Sequence, residues 1–171
     1  MTTSHDGPAV TGTQPVEQYV AGLPRKRMAA GVLFRDSSDR VLVVEPSYKQ
    51  YWEMPGGSVE ADEAPWAATE RELLEELGWN YRLGRLLVVD YVRPQDSRPE
   101  GVIFVFDGGV LTEGDLARMT LNANEIRSAG FYTLQELAGK MKPILIDRFT
   151  AALNAVREGG IVLCEQRRPI A

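Results

Sequence analysis

Three glutamates, Glu72, Glu75 and Glu76, stand in the short run Arg71-Glu72-Leu73-Leu74-Glu75-Glu76. On a helix they are related as i, i+3 and i+4, so their carboxylates project to one side. Like charges at that spacing oppose a free helix, and a bound cation reverses the sign of the effect. Hard divalent ions take oxygen ligands, keep several waters and share their remaining positions with substrate phosphates. A rigid element carrying these glutamates is therefore a candidate partial cage for Mg²⁺ or Mn²⁺, and the chemistry it points to is metal-assisted handling of phosphates. Just upstream, Trp52-Glu53-Met54-Pro55-Gly56-Gly57 reads as a tight loop whose glycines let backbone approach a ligand closely.

The element that must carry the glutamates is a helix over 65–77. Ala67, Ala68, Leu73, Leu74 and Leu77 are good helix formers, Pro65 suits a first turn, and Gly78 is placed to end it. Glu60, Asp62 and Glu63 crowd its start, where the helix dipole favours negative charge. At about 100° per residue, Trp66, Leu73, Leu74 and Leu77 are expected on one side and the three glutamates on the opposite, exposed one. Strands are expected over 28–34 and 41–45, joined by a hairpin, over 86–92 and 102–106, and over a short piece at 130–132. A helical turn is expected at 134–137 and a second long helix over 143–158, with an apolar stripe at Leu145, Phe149, Leu153 and Val156. Strands interleaved with two long helices predict an α/β chain with a mixed β-sheet covered on both faces.

The order Gly57, five residues, Glu63, seven residues, Arg71-Glu72-Leu73, one residue, Glu75-Glu76, one residue, Gly78 and apolar Trp79 resembles the Nudix box. Trp79 is a loose match to its last, aliphatic position. The resemblance implies an αβα sandwich and hydrolysis of a nucleoside diphosphate linked to another moiety. It implies that Glu72 and Glu76 are the principal metal ligands with Glu75 as a third, and that the carbonyl of Gly56 completes the metal shell. Gly57, Glu63, Arg71 and Gly78 read as structural members of the motif, Arg71 pairing with a box carboxylate to fix its rotamer. Glu75 and Glu125 are the candidate catalytic carboxylates; Glu125, in Asn-Glu-Ile ahead of Phe131-Tyr132, resembles the glutamate that precedes an aromatic strand in many relatives. Glu113 and Asp115 are the other acidic candidates from that region. Arg27, Tyr51 and Trp52 are the candidate substrate contacts, the arginine for phosphate and the rings for stacking, with Tyr48, Arg25, Lys26 and Arg93 as weaker alternatives.

Composition narrows the classes. The chain of 171 residues is 44% hydrophobic and 25% charged, as one globular domain should be. Residues 1–24 read as a flexible polar tail and 25–171 as the domain; the tail has neither the apolar segment nor the basic start of a secretion signal. Its His5 is the one histidine of the chain, so a general base is expected to be a carboxylate. A net charge of −5 argues against broad nucleic-acid binding, and no apolar run is long enough to span a bilayer. A single cysteine, Cys164, excludes an internal disulfide and is expected to be packed, which points to a cytoplasmic protein. Oligomeric state stays open, a homodimer included. Two other classes also stay open: a nucleotide-sensing module without turnover, and an isomerase or RNA-decapping variant of the same fold.

Overall fold

A computed structural model describes residues 15–95 and 97–170, so His5 and most of the expected tail lie outside the described residues. The elements in chain order are α1 (Val16–Gly22), β1 (Arg27–Arg35), β2 (Val41–Pro46), β3 (Gly56–Ser58), α2 (Pro65–Leu77), β4 (Leu86–Val92) and β5 (Gly101–Val110). There follow α3 (Glu113–Leu116), β6 (Ile126–Tyr132), α4 (Pro143–Glu158), β7 (Val162–Glu165) and β8 (Arg168–Pro169). Residues of the expected tail form α1, none of whose side chains is buried.

The eight strands form one mixed sheet in the order β6-β2-β1-β5-β4-β7-β8, with β3 also paired to β1. β1 is the hub. It runs parallel to β5 along one edge, while its other edge is shared: β3 pairs antiparallel with Ala29 to Gly31, and β2 meets it at Arg35. The sheet forks there, and the fork opens a gap at its middle into which α2 can reach.

Side chains alternate across the sheet with the period of two that extended backbone imposes. Val32, Phe34, Leu42 and Val44 pack with Leu73 and Leu77 of α2, Ile126 and Phe131. Leu33, Val41, Val43, Leu87 and Val105 pack on the other face with Phe149, Ala152 and Leu153 of α4. The strands are accordingly apolar on both faces, as a covered sheet requires. The result is the αβα sandwich expected from the sequence.

Both long helices have the predicted limits. α2 ends at Gly78, whose left-handed backbone (φ 61°) suits glycine, and α4 ends likewise at Gly159 (φ 79°). The expected helical turn at 134–137 is a run of turns, and Thr133 with Glu136 closes it by side-chain hydrogen bonds. Cys164 is buried, as expected.

Candidate active site

The arc of α2 that faces the sheet is defined by Ala68, Thr69, Leu73 and Leu77, and Glu76 falls in its middle, 8% exposed. This corrects the expected face: Trp66 is 60% exposed and Leu74 lies on the surface, so neither belongs to the buried stripe. The three glutamates do not share an exposed side. Glu76 is buried against Gly56 at the start of β3, Glu72 is half-buried, and Glu75 is exposed.

Glu76 sits beneath the glycine turn. Its Oε2 accepts the Gly56 N–H at 3.2 Å, the single hydrogen bond that its side chain makes among the described residues. Gly56 has φ 128°, and a Cβ there would stand 2.3 Å from the Ala30 carbonyl oxygen, so only glycine brings backbone this close. Gly57 leaves room for Glu72 in the same way: a Cβ would fall 2.2 Å from its Oε1. Burial, with repulsion from Glu72, Glu53 and Glu125 and against the Gly56 bond, pushes the Glu76 carboxyl up to about 8. Burial also raises Glu72, where Arg71 opposes the shift and Glu75 and Glu125 add to it.

Arg71 holds the outer carboxylates. Its Nε donates to Glu63 Oε1 at 2.8 Å, its Nη1 reaches Glu72 Oε1 and Glu75 Oε2 at 3.0 Å each, and its Nη2 donates to Glu63 Oε2 and the Ser58 carbonyl. The hydrogen bonds from Arg71 hold the Glu63 carboxyl down at about 2, so it stays ionised. Arg71 is thus a clip between the loop after β3 and the helix, and all its donors go to the motif.

The loop ahead of β6 is docked on the end of α2. The Thr120 N–H donates to the Leu77 carbonyl at 2.9 Å and the Asn122 N–H to that of Glu76 at 3.0 Å. This brings Glu125 near enough to Glu72 and Glu76 to raise both. Glu113 and Asp115 are used elsewhere. Asp115 closes a capping box with Thr112 at the start of α3, and Glu113 pairs with Arg40 at 3.2 Å. Glu53 was not singled out by sequence reasoning. It reaches the site because its backbone pairs with Val44, and Lys49 holds its Oε2 at 2.7 Å. Its place three residues before Gly56 was the available signal.

Of these carboxylates, Glu53 lines a cleft of about 1040 Å³ together with Gly56 and Gly57, the glycines that stand over Glu76 and Glu72. Arg27, Arg93, Arg98, Lys142, Arg148 and Arg167 all line it, and among the described residues no aromatic side chain does. Of the expected substrate contacts, Arg27 lies in the cleft. Trp52 packs edge-on against Tyr132 at 4.9 Å under Lys140, and Tyr51 lies beside Lys142 outside the lining.

Among the described residues, no three acidic, histidine or cysteine side chains are gathered into a ready-made cation cage. The donor set nevertheless suits a hard cation. Glu76 is buried with one N–H partner, three further carboxylates repel it, and Arg71 reaches Glu72 but not Glu76. A divalent ion would compensate that excess of negative charge.

The NUDIX domain model matches residues 25–153, and the chain belongs to this family. Over 82 residues the chain is 42% identical to diphosphoinositol polyphosphate phosphohydrolase 3-alpha of Mus musculus, a match covering 47% of this chain and 49% of that protein. It thus spans about half the length of the curated relatives it matches. The MutT protein of Methanosarcina mazei Go1 superposes with a TM-score of 0.60 at 21% identity, covering 81% of this chain and 99% of that one. A UDP-X diphosphatase gives 0.63 at 18% identity, covering 88% and 76%. At these identities the two structures bear on the fold alone.

Proposed function

We propose that this protein is a Mg²⁺- or Mn²⁺-dependent pyrophosphohydrolase that cleaves the diphosphate of a nucleoside diphosphate derivative. The observation that carries the reading is the buried Glu76 carboxylate, faced by Glu72, Glu53 and Glu125 beneath the Gly56 turn. Glu72 and Glu76, with Glu75 and the Gly56 carbonyl, would hold the cation. When bound, the ion would neutralise charge on the diphosphate and lower the pKa of a bound water. Glu125 accepts the proton of the attacking water, Arg71 keeps Glu72 and Glu75 oriented, and Arg27 binds phosphate from the cleft wall. Substitution at one phosphorus gives two phosphorylated products, and electrostatics and positioning supply most of the rate.

The cleft favours a second reading of the group attached to the diphosphate. Among the described residues six cations and no aromatic ring line it, so it is suited to a polyphosphorylated, non-aromatic group better than to a stacked base. The relatives' name, diphosphoinositol polyphosphate phosphohydrolase, describes a substrate of that kind. A panel of nucleoside diphosphate derivatives and diphosphoinositol polyphosphates, incubated with Mg²⁺ and read by mass spectrometry of the products, tests both. Absence of turnover on the whole panel would overturn the hydrolytic reading and favour a binding module.

A further inference from the structure

The start of α4 lines the same cleft as Glu53, Gly56 and Gly57. Its N-cap residue, Lys142, makes no side-chain cap, and Pro143 has no N–H. The Leu145 and Ile146 N–H groups turn back to the Lys142 carbonyl, and the Ile144 N–H meets no protein acceptor among the described residues. The residues from Lys142 to Leu145 line the cleft, so this sixteen-residue helix presents the positive end of its dipole there.

One turn in, Arg148 lines the same cleft although only 8% of it is exposed. Its Nε donates to Asp90 Oδ2 at 2.7 Å, and Asp90 is fully buried. A guanidinium held purely for structure is best satisfied by a two-pronged pairing with its carboxylate. Arg148 instead pairs end-on through Nε, and among the described residues neither Nη meets an acceptor. Asp90 uses its other oxygen, Oδ1, to accept the Arg167 N–H at 3.2 Å. That bond secures a turn in which Gln166 (φ 52°) and Arg167 (φ 77°) are both left-handed without being glycine. Gln166 and Arg167 also line the cleft. One buried carboxylate therefore aims an arginine and fixes the turn beside it.

We infer that the start of α4 and the Nη groups of Arg148 form an anion subsite for a substrate phosphate other than the scissile diphosphate, positioned by Asp90. Helix dipole, a free N–H and a desolvated guanidinium together suit a phosphate dianion. The inference rests on the reading above in taking the cleft as the substrate site, but it requires neither the cation nor turnover.

The test uses metal-free protein and two probes: inositol hexakisphosphate, and ADP-ribose, which carries no phosphate outside its diphosphate. Binding is followed by calorimetry in the wild type and in the paired variant Asp90→Asn with Arg148→Gln, which exchanges the ion pair for a neutral hydrogen bond. The pair should weaken hexakisphosphate binding roughly 10- to 100-fold, the range for lost charge-assisted hydrogen bonds. ADP-ribose affinity should change by less than about threefold. A variant that melts like the wild type and binds both probes unchanged would overturn the subsite. In case the paired variant does not fold, the Arg148 Nε–Hε resonance of wild-type protein is followed by ¹⁵N NMR. It should shift as hexakisphosphate is added, and a resonance that stays still at saturation also overturns the inference. Probe binding through Arg148 in a protein that hydrolyses nothing would leave the subsite standing and remove the catalytic reading.

Discussion

Glu76→Gln should make the metal-free protein more stable while abolishing its hydrolysis. Glu76 is buried at the centre of the α2 face that meets the sheet, and its carboxyl is pushed up to about 8 from an ordinary value of 4.5. The folded state thus binds a proton that the unfolded state releases, so stability falls as pH rises between those values. At pH 8 the full linkage cost of ionising Glu76 is about 4 kcal/mol. Residual solvent access and the shared charge of Glu72 reduce this to roughly 2 kcal/mol. The glutamine side-chain oxygen can still accept the Gly56 N–H, so the substitution removes the charge and keeps the bond. For a domain of this size the gain corresponds to a rise in Tm of about 4–8 °C. At pH 5, where the wild-type carboxyl is largely protonated in the fold, the difference should shrink to about 1 kcal/mol or less. Calorimetric melting in EDTA at pH 5 and 8 measures both. Millimolar Mg²⁺ should then raise the Tm of the wild type and leave that of the variant nearly unmoved. Equal or lower stability of the variant in EDTA at pH 8, or a gain that does not depend on pH, would refute the argument that this carboxylate is held against its own electrostatics.

The two glycines of the turn should separate fold from chemistry. Gly56→Ala meets the Ala30 carbonyl and an unfavourable φ, and should lower stability by about 3 kcal/mol or more in urea titrations. Gly57→Ala meets only the end of the Glu72 side chain, so it should leave Tm within a few degrees while lowering kcat about 10-fold or more. Asp90→Ala leaves Arg148 buried and uncompensated and should cost about 3–5 kcal/mol by urea denaturation, far more than the neutral Asn/Gln pair. Glu125→Gln should lower kcat by about 10²–10⁴-fold and flatten the acid limb of the pH–rate profile, whereas Glu113→Gln should change neither in steady-state assays.

The parts of this molecule that were legible in its sequence are those in which local pattern and tertiary environment agree. α2 and α4 announce their own ends through proline and glycine, and β4 was expected with its observed limits. The burial of Glu76 was not legible, because an apolar wheel built on Trp66 and Leu74 turns α2 away from its real orientation. What sets that orientation is the gap in the sheet at β1, a tertiary feature. β3, β7 and β8 are too short to show a period of their own; β3 and β7 pair with strands distant in sequence, and β8 is a two-residue return on β7. Arg148 was hidden in an otherwise apolar stripe beside Phe149, and its partner Asp90 lies 58 residues away inside a strand that reads as uniformly apolar. Glu125 is a candidate through the family resemblance alone, and its nearness to α2 depends on two backbone hydrogen bonds in a loop with no pattern.

The turn at Gln166 and Arg167 lies beyond residue 153, where the family match stops, yet it forms part of the cleft and is tied to β4 through Asp90. The glutamates hang from α2 and the loop ahead of β6, elements other than that turn. The two halves of the site therefore have separate mechanical supports. Under the proposed function, remodelling the terminal hairpin, by loop exchange or by a fusion that pulls on β8, should retune which compounds bind while leaving α2 and its glutamates in place. Cutting the chain at the edge of the matched region would take Gln166 and Arg167 from the cleft and leave Asp90 Oδ1 without the Arg167 N–H.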